Sequence, residues 1–358
     1  MTALAGCTSS ATGGERMASD QLFPIQLPAP RAQREKPLVA VLADNAGTET
    51  TDFMVPYGVL RASNVVDAVT VSTGPGTVQL HPALKVRADQ TIEQFDRAHA
   101  AGADIVIVPA MHHPDNPEVL AWVRQQYDAG ATIVGICDGV WILAKAGLLE
   151  QKVATGHWYS LDRLARQYPD TTWIRDHRYV ADGQVVTTTG VSASVPVSLA
   201  LVEAIADSAE AVALAERLGV TDFGTAHETA AFQLSTADKA RAAANWLSFW
   251  RREHIDLPVA DDVNEITLAL AADAWSRTFR STARATHADA TTIRSRHGLV
   301  IETDNSRATR SHTPAPTAHS PEQTLNQTLT AIAERYDVRT AELVAVQLEY
   351  PWDISQQE

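Results

Sequence analysis

Thr132-Ile133-Val134-Gly135-Ile136-Cys137-Asp138-Gly139 carries the strongest fold signal in the chain. Its first five residues form an apolar run without polar alternation, the pattern of a strand buried on both faces. Such strands belong to parallel sheets covered by helices on each side. Val140 to Ala146 reads as a helix closed by Gly147. Strand, tight turn and helix, with a reactive side chain at the turn between two glycines, is the pattern of a nucleophile elbow with Cys in place of Ser. Unpaired N–H groups at the helix start favour a thiolate, so a lowered thiol pKa is expected at Cys137. The other use of a cysteine here is as a small apolar filler.

The same alternation extends in both directions. Leu38–Leu42, Val66–Ser72, Asp104–Val108 and Val185–Thr189 read as strands. Asp52–Ala62, Thr91–His99, Pro117–Ala129 and Val195–Ala206 read as helices, and Pro117 stands at a helix start, where its missing N–H does no harm. Residues 37–206 are therefore expected to form a doubly wound, mainly parallel α/β sandwich of three layers, flavodoxin-like, with Cys137 beyond the C-terminal strand ends where ligands bind. Residues 1–36 read as a leader and linker without enough apolar surface to order. Residues 207–304 read as a helical extension, with helices over Ala209–Leu218, Lys239–Glu253 and Asp262–Arg284 and a hairpin of Ala290–Ser295 with Leu299–Thr303. Residues 305–320 read as a polar linker, and 321–358 as closing helices over Pro321–Arg335 and Thr340–Tyr350. Trp246, Phe249 and Trp250 share one helical face that seeks a core or an oligomer contact.

Composition narrows the function classes. The chain has 358 residues, 45% hydrophobic and 20% charged, with a formal net charge of -14 and a pI near 5.3. That charge disfavours phosphate backbones, so no nucleic-acid partner is expected. Ala215 to Val220 faintly resembles the start of a helix-turn-helix, but residues 207–304 hold 15 acids against 10 bases, the wrong sign for DNA. No apolar run is long enough to span a bilayer. His112-His113-Pro114-Asp115 reads as a polar loop at a pocket rim, because adjacent histidines point apart. No metal site and no cofactor are expected.

The second cysteine has a different context. Leu4-Ala5-Gly6-Cys7 resembles a bacterial lipobox, in which the cysteine is acylated, but only three residues precede it. Two readings stand. Cys7 is a lipid-attachment site of an extracytoplasmic lipoprotein whose signal extends upstream, or the tetrapeptide is fortuitous and the protein is cytoplasmic. A Cys7–Cys137 disulfide is not expected.

Several segments together resemble the ThiJ/PfpI superfamily, which has a class I glutamine-amidotransferase-like fold. They are Leu38–Leu42, Asp52-Phe53-Met54-Val55-Pro56-Tyr57-Gly58, Val106–Pro109, the elbow Gly135–Gly139, Ala146–Leu149, Ala154-Thr155-Gly156-His157-Trp158 and Thr189–Ala193. The last three are most similar to isonitrile hydratases and to the sensor halves of AraC-type regulators. The resemblance implies that Asp52 is the carboxyl partner of Cys137, that His157 lies near the thiol, that Ala110 and Met111 with Asp138 and Gly139 form the oxyanion and pocket region, and that the chain forms a homodimer. Asp52 also fits a helix N-cap before Phe53, and His157 a hydrogen-bonded core histidine. Ala110-Met111 replace the family's usual paired glycines, and Asp138 stands where isonitrile hydratases often have Thr. No His-x-Glu pair matches that of the amidotransferases, so glutamine amidotransfer is not expected. Two functions follow as expectations: a cysteine-dependent hydrolase, hydratase or lyase acting on a small molecule, or a ligand- or redox-sensing module without turnover and without its own DNA-binding domain.

Overall fold

The computed structural model describes residues 23–28, 34–247, 252–305 and 320–352. Cys7, Phe249, Trp250 and the Trp246 side chain lie outside the described residues. The central sheet has seven strands: β1 (Leu38–Ala43), β2 (Asp67–Ser72), β3 (Gln90–Thr91), β4 (Ile105–Val108), β5 (Thr132–Gly135), β6 (Tyr179–Asp182) and β7 (Val185–Thr188). Their order is β6-β7-β5-β4-β1-β2-β3. Every pair is parallel except β6 with β7.

The unbroken apolar runs follow from burial on both faces. In β1, Val39 and Val41 join one core, while Leu38, Ala40 and Leu42 join the other. The second core is closed by helices Ile92–Ala98, Pro117–Asp128 and Val140–Lys145. The first holds helices Thr50–Ser63 and Ser194–Ile205 and continues without a break into the C-terminal region.

That region is not helical throughout. Helices Ser208–Leu218, Thr236–Leu247, Glu265–Ser276, Pro321–Arg335 and Val338–Gln347 are present. However, Glu253–Pro258 and Ser281–His287 are strands that pair in parallel, where the sequence had suggested helix ends. Ala283 and Ala285 point inward while Arg284 between them is partly exposed, a period-two pattern that alanine-rich composition disguises. The expected hairpin forms, with Thr292–Arg294 antiparallel to Val300–Glu302. It also pairs with Lys85–Arg87, so the C-terminal region extends a sheet of the N-terminal one.

Helix Glu265–Ser276 lies against helix Thr50–Ser63. Gly58 makes this approach possible, since a Cβ there would stand 2.6 Å from Ile266 and 2.8 Å from the Glu265 carboxylate. The C-terminal region is thereby anchored on the helix that carries Asp52.

Candidate functional site

The elbow is built by close backbone approach. Ile136 N–H bonds the Val108 carbonyl at 3.0 Å, tying the end of β5 to the end of β4. Cys137 then turns into the left-handed region with φ +53°. Its N–H donates to Thr188 Oγ1 at 3.1 Å, at the end of β7. The positive φ thus falls on the cysteine itself and not on its flanking glycines. Gly139 serves a different need: a Cβ there would lie 2.1 Å from the Val108 carbonyl oxygen. One 3-10 turn, Cys137–Gly139, leads into helix Val140–Lys145.

Cys137 is 8% exposed and opens on a cavity of about 760 Å³. The expectation of a lowered thiol pKa is overturned. Burial pushes the Cys137 thiol well up, and the carboxyls of Asp52, Asp138, Glu49 and Glu349 add to it. A following helix of only six residues offers a weak dipole against that ring of acids.

Asp52 is fully buried. Its Oδ2 accepts the Ala110 N–H at 3.1 Å, and its Oδ1 has no partner among the described residues. Burial and the neighbouring Glu49 raise its pKa well above the usual carboxylate range. Charge links it to Cys137; no hydrogen bond to the sulfur is present among the described residues. Asp52 is not the N-cap. Glu49 takes that place, accepting the Asp52 N–H at 2.6 Å and the Thr51 hydroxyl at 2.9 Å. The Ala110 amide, expected to serve as an oxyanion donor, is engaged by Asp52. Ala110 and Met111 both line the cavity, as do Asp138 and His157.

The two histidine regions differ in use. His112 packs against His81 with ring centroids 4.2 Å apart, and no metal-holding group of three or more ligands occurs among the described residues. His157 caps helix Trp158–Gln167, its Nδ1 accepting the Tyr159 N–H at 3.3 Å. Its Nε2 lies 3.3 Å from the Gln347 carbonyl and 3.7 Å from Glu349 Oε1.

The sequence profile of the DJ-1/PfpI family matches residues 38–204. Residues 38–204 are a DJ-1/PfpI domain. The chain is 29% identical over 135 residues to the HTH-type transcriptional regulator CdhR of Pseudomonas aeruginosa, covering 37% of this chain and 38% of the regulator. It is 28% identical over 172 residues to the isonitrile hydratase of Pseudomonas putida, covering 46% of this chain and 71% of the hydratase. The crystal structure of Drosophila melanogaster DJ-1beta aligns with a TM-score of 0.47 at 20% identity, over 52% of this chain and all of that one. The chain thus spans well under half of the regulator's length.

Two groups at the site come from outside the DJ-1/PfpI domain, and the sequence reading did not find them. Arg277, just past helix Glu265–Ser276, lines the cavity. It donates to Glu49 Oε1 at 2.7 Å and to Asp273 Oδ2 at 2.8 Å. Burial raises the Asp273 carboxyl, Arg277 opposes the rise and Glu49 adds to it, leaving it pushed up to about 8. Glu349 is the other. Its Oε1 accepts the Trp158 N–H at 2.9 Å and its Oε2 stands 2.9 Å from His227 Nε2. Burial raises the Glu349 carboxyl, but His157, His227 and the Trp158 N–H outweigh it, so Glu349 is held below its usual range as an anion. The DJ-1/PfpI domain supplies the thiol, its acid and most of the charges around them; the C-terminal region adds Arg277, Asp273 and Glu349.

These shifts have a direct consequence. Iodoacetamide labelling of Cys137, read from its peptide by mass spectrometry, is expected to be slow at pH 7 and to accelerate only above the ordinary thiol range. Asp52→Asn removes the strongest charge opposing the thiolate and moves the profile to lower pH. A labelling rate already at its plateau at pH 7 would contradict the raised thiol.

Proposed function

We propose that the chain transforms a small molecule at Cys137, in a reaction of hydrolase, hydratase or lyase type, with Asp52 as the proton-holding partner. The observation that carries this reading is the left-handed Cys137 facing a cavity beside a buried carboxyl with one unpartnered oxygen. A left-handed backbone costs a non-glycine residue on the order of 1–2 kcal/mol. Structural filling alone gives no reason to keep that strain.

A buried, protonated thiol is a poor nucleophile until its proton leaves. The raised pKa of Asp52, caused by its burial and by Glu49, makes its carboxyl a stronger base than an ordinary carboxylate and lets it hold a proton. With substrate bound, the unpartnered Asp52 oxygen comes within reach of the thiol and accepts its proton as the sulfur electron pair bonds to an electrophilic carbon. The same carboxyl then returns that proton to the substrate atom that received the displaced electrons. His157 has both ring nitrogens engaged by backbone groups and serves as a wall of the cavity.

Wild type is expected to turn over a member of a panel of dicarbonyls, isonitriles and acyl amides, and Cys137→Ala to lose at least 100-fold in rate, on the order expected for a lost nucleophile. The raised thiol pKa also favours a second reading, a ligand-sensing module that keeps its cysteine reduced. Tight binding of a metabolite with no turnover of any panel member would establish that reading in place of the first.

A further inference from the structure

The lining of the Cys137 cavity carries an unbalanced charge. Lys145, Arg163 and Arg277 face Glu49 and Asp138. Arg277 is matched, meeting Glu49 at 2.7 Å and Asp273 at 2.8 Å. Lys145 and Arg163 are not: neither makes an ion pair or a side-chain hydrogen bond among the described residues. Both residues are exposed, so a ligand can reach them. Asp138 alone opposes them, and one of its oxygens is closed to solvent. Two spare cations against one acid leave a single positive charge. His81, His112 and His157 also line the cavity. Burial and His112 lower the His81 pKa, and a proton on any of the three would only add to the positive side. Behind the wall, His157, His227 and the Trp158 N–H face Glu349, while Asp52 and Asp273 have raised pKa values that let them hold protons. The two spare cations border one indole. Lys145 stands four residues after Trp141 on helix Val140–Lys145, so the two are neighbours on one face. The Arg163 guanidinium, from helix Trp158–Gln167, lies 4.5 Å from the centre of the Trp141 ring.

We propose that Lys145 and Arg163 form a carboxylate-binding end of the Cys137 cavity, so that the molecule taken there is an elongated, apolar monocarboxylate. The reactive turn and the cationic end lie at opposite ends of the elbow helix. Cys137 and Lys145 are eight residues apart, about 12 Å along a helix axis. The lysine side chain leans back toward the helix start and shortens that gap. The carboxylate is thus held several bonds away from the atom at the thiol, and a cavity of about 760 Å³ has room for the body between them. Trp158, Phe279 and Leu343 supply apolar wall for that body. A dianion such as a phosphate monoester fits worse, because it exceeds the single spare charge and meets the free carbonyls at the end of helix Val140–Lys145. A cation is repelled by both side chains, and a neutral molecule gains nothing from them. This deepens the reading of the Cys137 cavity as a small-molecule site and rests on it, but not on turnover.

The test is calorimetric titration of the full chain carrying Cys137→Ser with three probes of similar shape: 4-phenylbutyrate, 4-phenylbutyramide and 3-phenylpropyl phosphate. The carboxylate is expected to bind most tightly, roughly tenfold more tightly than the amide, the worth of one charge-assisted hydrogen bond. That preference shrinks as salt is raised, because both cations are exposed. Lys145→Gln weakens the carboxylate roughly threefold, the size of an exposed ion pair, and leaves the amide where it was. Adding Arg163→Gln brings the two probes level. Lys145 is exposed, so its replacement disturbs no core and stands as the test should Arg163→Gln disturb the Trp141 ring. Equal binding of carboxylate and amide, tightest binding of the phosphate, no binding of any probe at millimolar concentration, or a preference unchanged in Lys145→Gln would each overturn the proposal. Carboxylate preference in a protein without turnover would leave it standing while removing the catalytic reading of Cys137. Turnover of a neutral molecule, with carboxylate and amide bound equally, would do the reverse.

Discussion

Gly139→Ala is expected to destabilise the protein by about 3 kcal/mol or more, at the top of the range for overpacking. The added Cβ would stand 2.1 Å from the Val108 carbonyl oxygen and 2.9 Å from the Pro109 carbonyl carbon. Both neighbours are backbone at the end of β4, which is fixed between β1 and β5. No rotamer change can relieve such a contact. The elbow would have to lift off β4, and the Val108–Ile136 hydrogen bond lies in the same place. Urea denaturation gives the measurement, with Gly74→Ala as the control. A Cβ at Gly74 meets nothing closer than 3.8 Å, so that variant is expected to stay within about 0.5 kcal/mol of wild type. Equal midpoints for Gly139→Ala and wild type would show that the turn tolerates a side chain there.

The contrast between Gly139 and its surroundings shows what local sequence carries. A strand buried on both faces needs apolar residues at every position, so Thr132–Ile136 was visible without any partner. The turn was visible because few residue types allow backbones to approach so closely. Asp52 was placed near the thiol by resemblance alone, and the alternative reading of Asp52 as the helix cap fails because Glu49 takes that position. Glu49 is an uncommon cap, whereas Thr50, Thr51 and Asp52 all belong to more favoured types. Cys137 was read as a thiolate because only its own turn and helix could be considered. Burial is the largest cause of the reversal, and of the acids that add to it Asp138 sits in the same turn, while Asp52 and Glu49 arrive from helix Thr50–Ser63 and the strand before it, and Glu349 from a segment 212 positions further along the chain. One signal for Arg277 was present. Asp273 is an acid in the helix Glu265-Ile-Thr-Leu-Ala-Leu-Ala-Ala-Asp-Ala-Trp-Ser276, which is buried on all sides. A carboxyl in such a helix requires a partner, and Arg277 stands four residues on, where an ion pair can close. What the sequence could not show is that the same arginine also reaches Glu49.

Arg277→Met is expected to cost about 3–5 kcal/mol, the usual consequence of removing one member of a buried ion cluster. The methionine fills much of the volume, so the loss comes from charge. Glu49 and Asp273 would remain buried, 6% and 0% exposed, with no cation between them. The effect should depend on pH in a direction set by Asp273. Its carboxyl is raised to about 8 in the folded chain, against about 3.9 when unfolded. Folding therefore favours its protonated form. The stabilisation from that proton is fully present below about pH 4 and is lost as pH rises through 8. Without Arg277 the opposing influence disappears, and the folded carboxyls hold their protons more tightly still. At pH 5 protonation can neutralise the orphaned acids; at pH 8 it does so only at a growing cost. The gap in urea midpoint between wild type and Arg277→Met should therefore stay nearly flat below about pH 7 and widen as pH rises through 8 toward 9. Asp273→Asn combined with Arg277→Met should narrow it again, because one of the stranded charges is gone. Because Glu49 caps the helix that bears Asp52, the single variant should also alter the alkylation profile of Cys137. A gap independent of pH would mean that Arg277 contributes packing alone, and that its charge does not govern the buried acids Glu49 and Asp273.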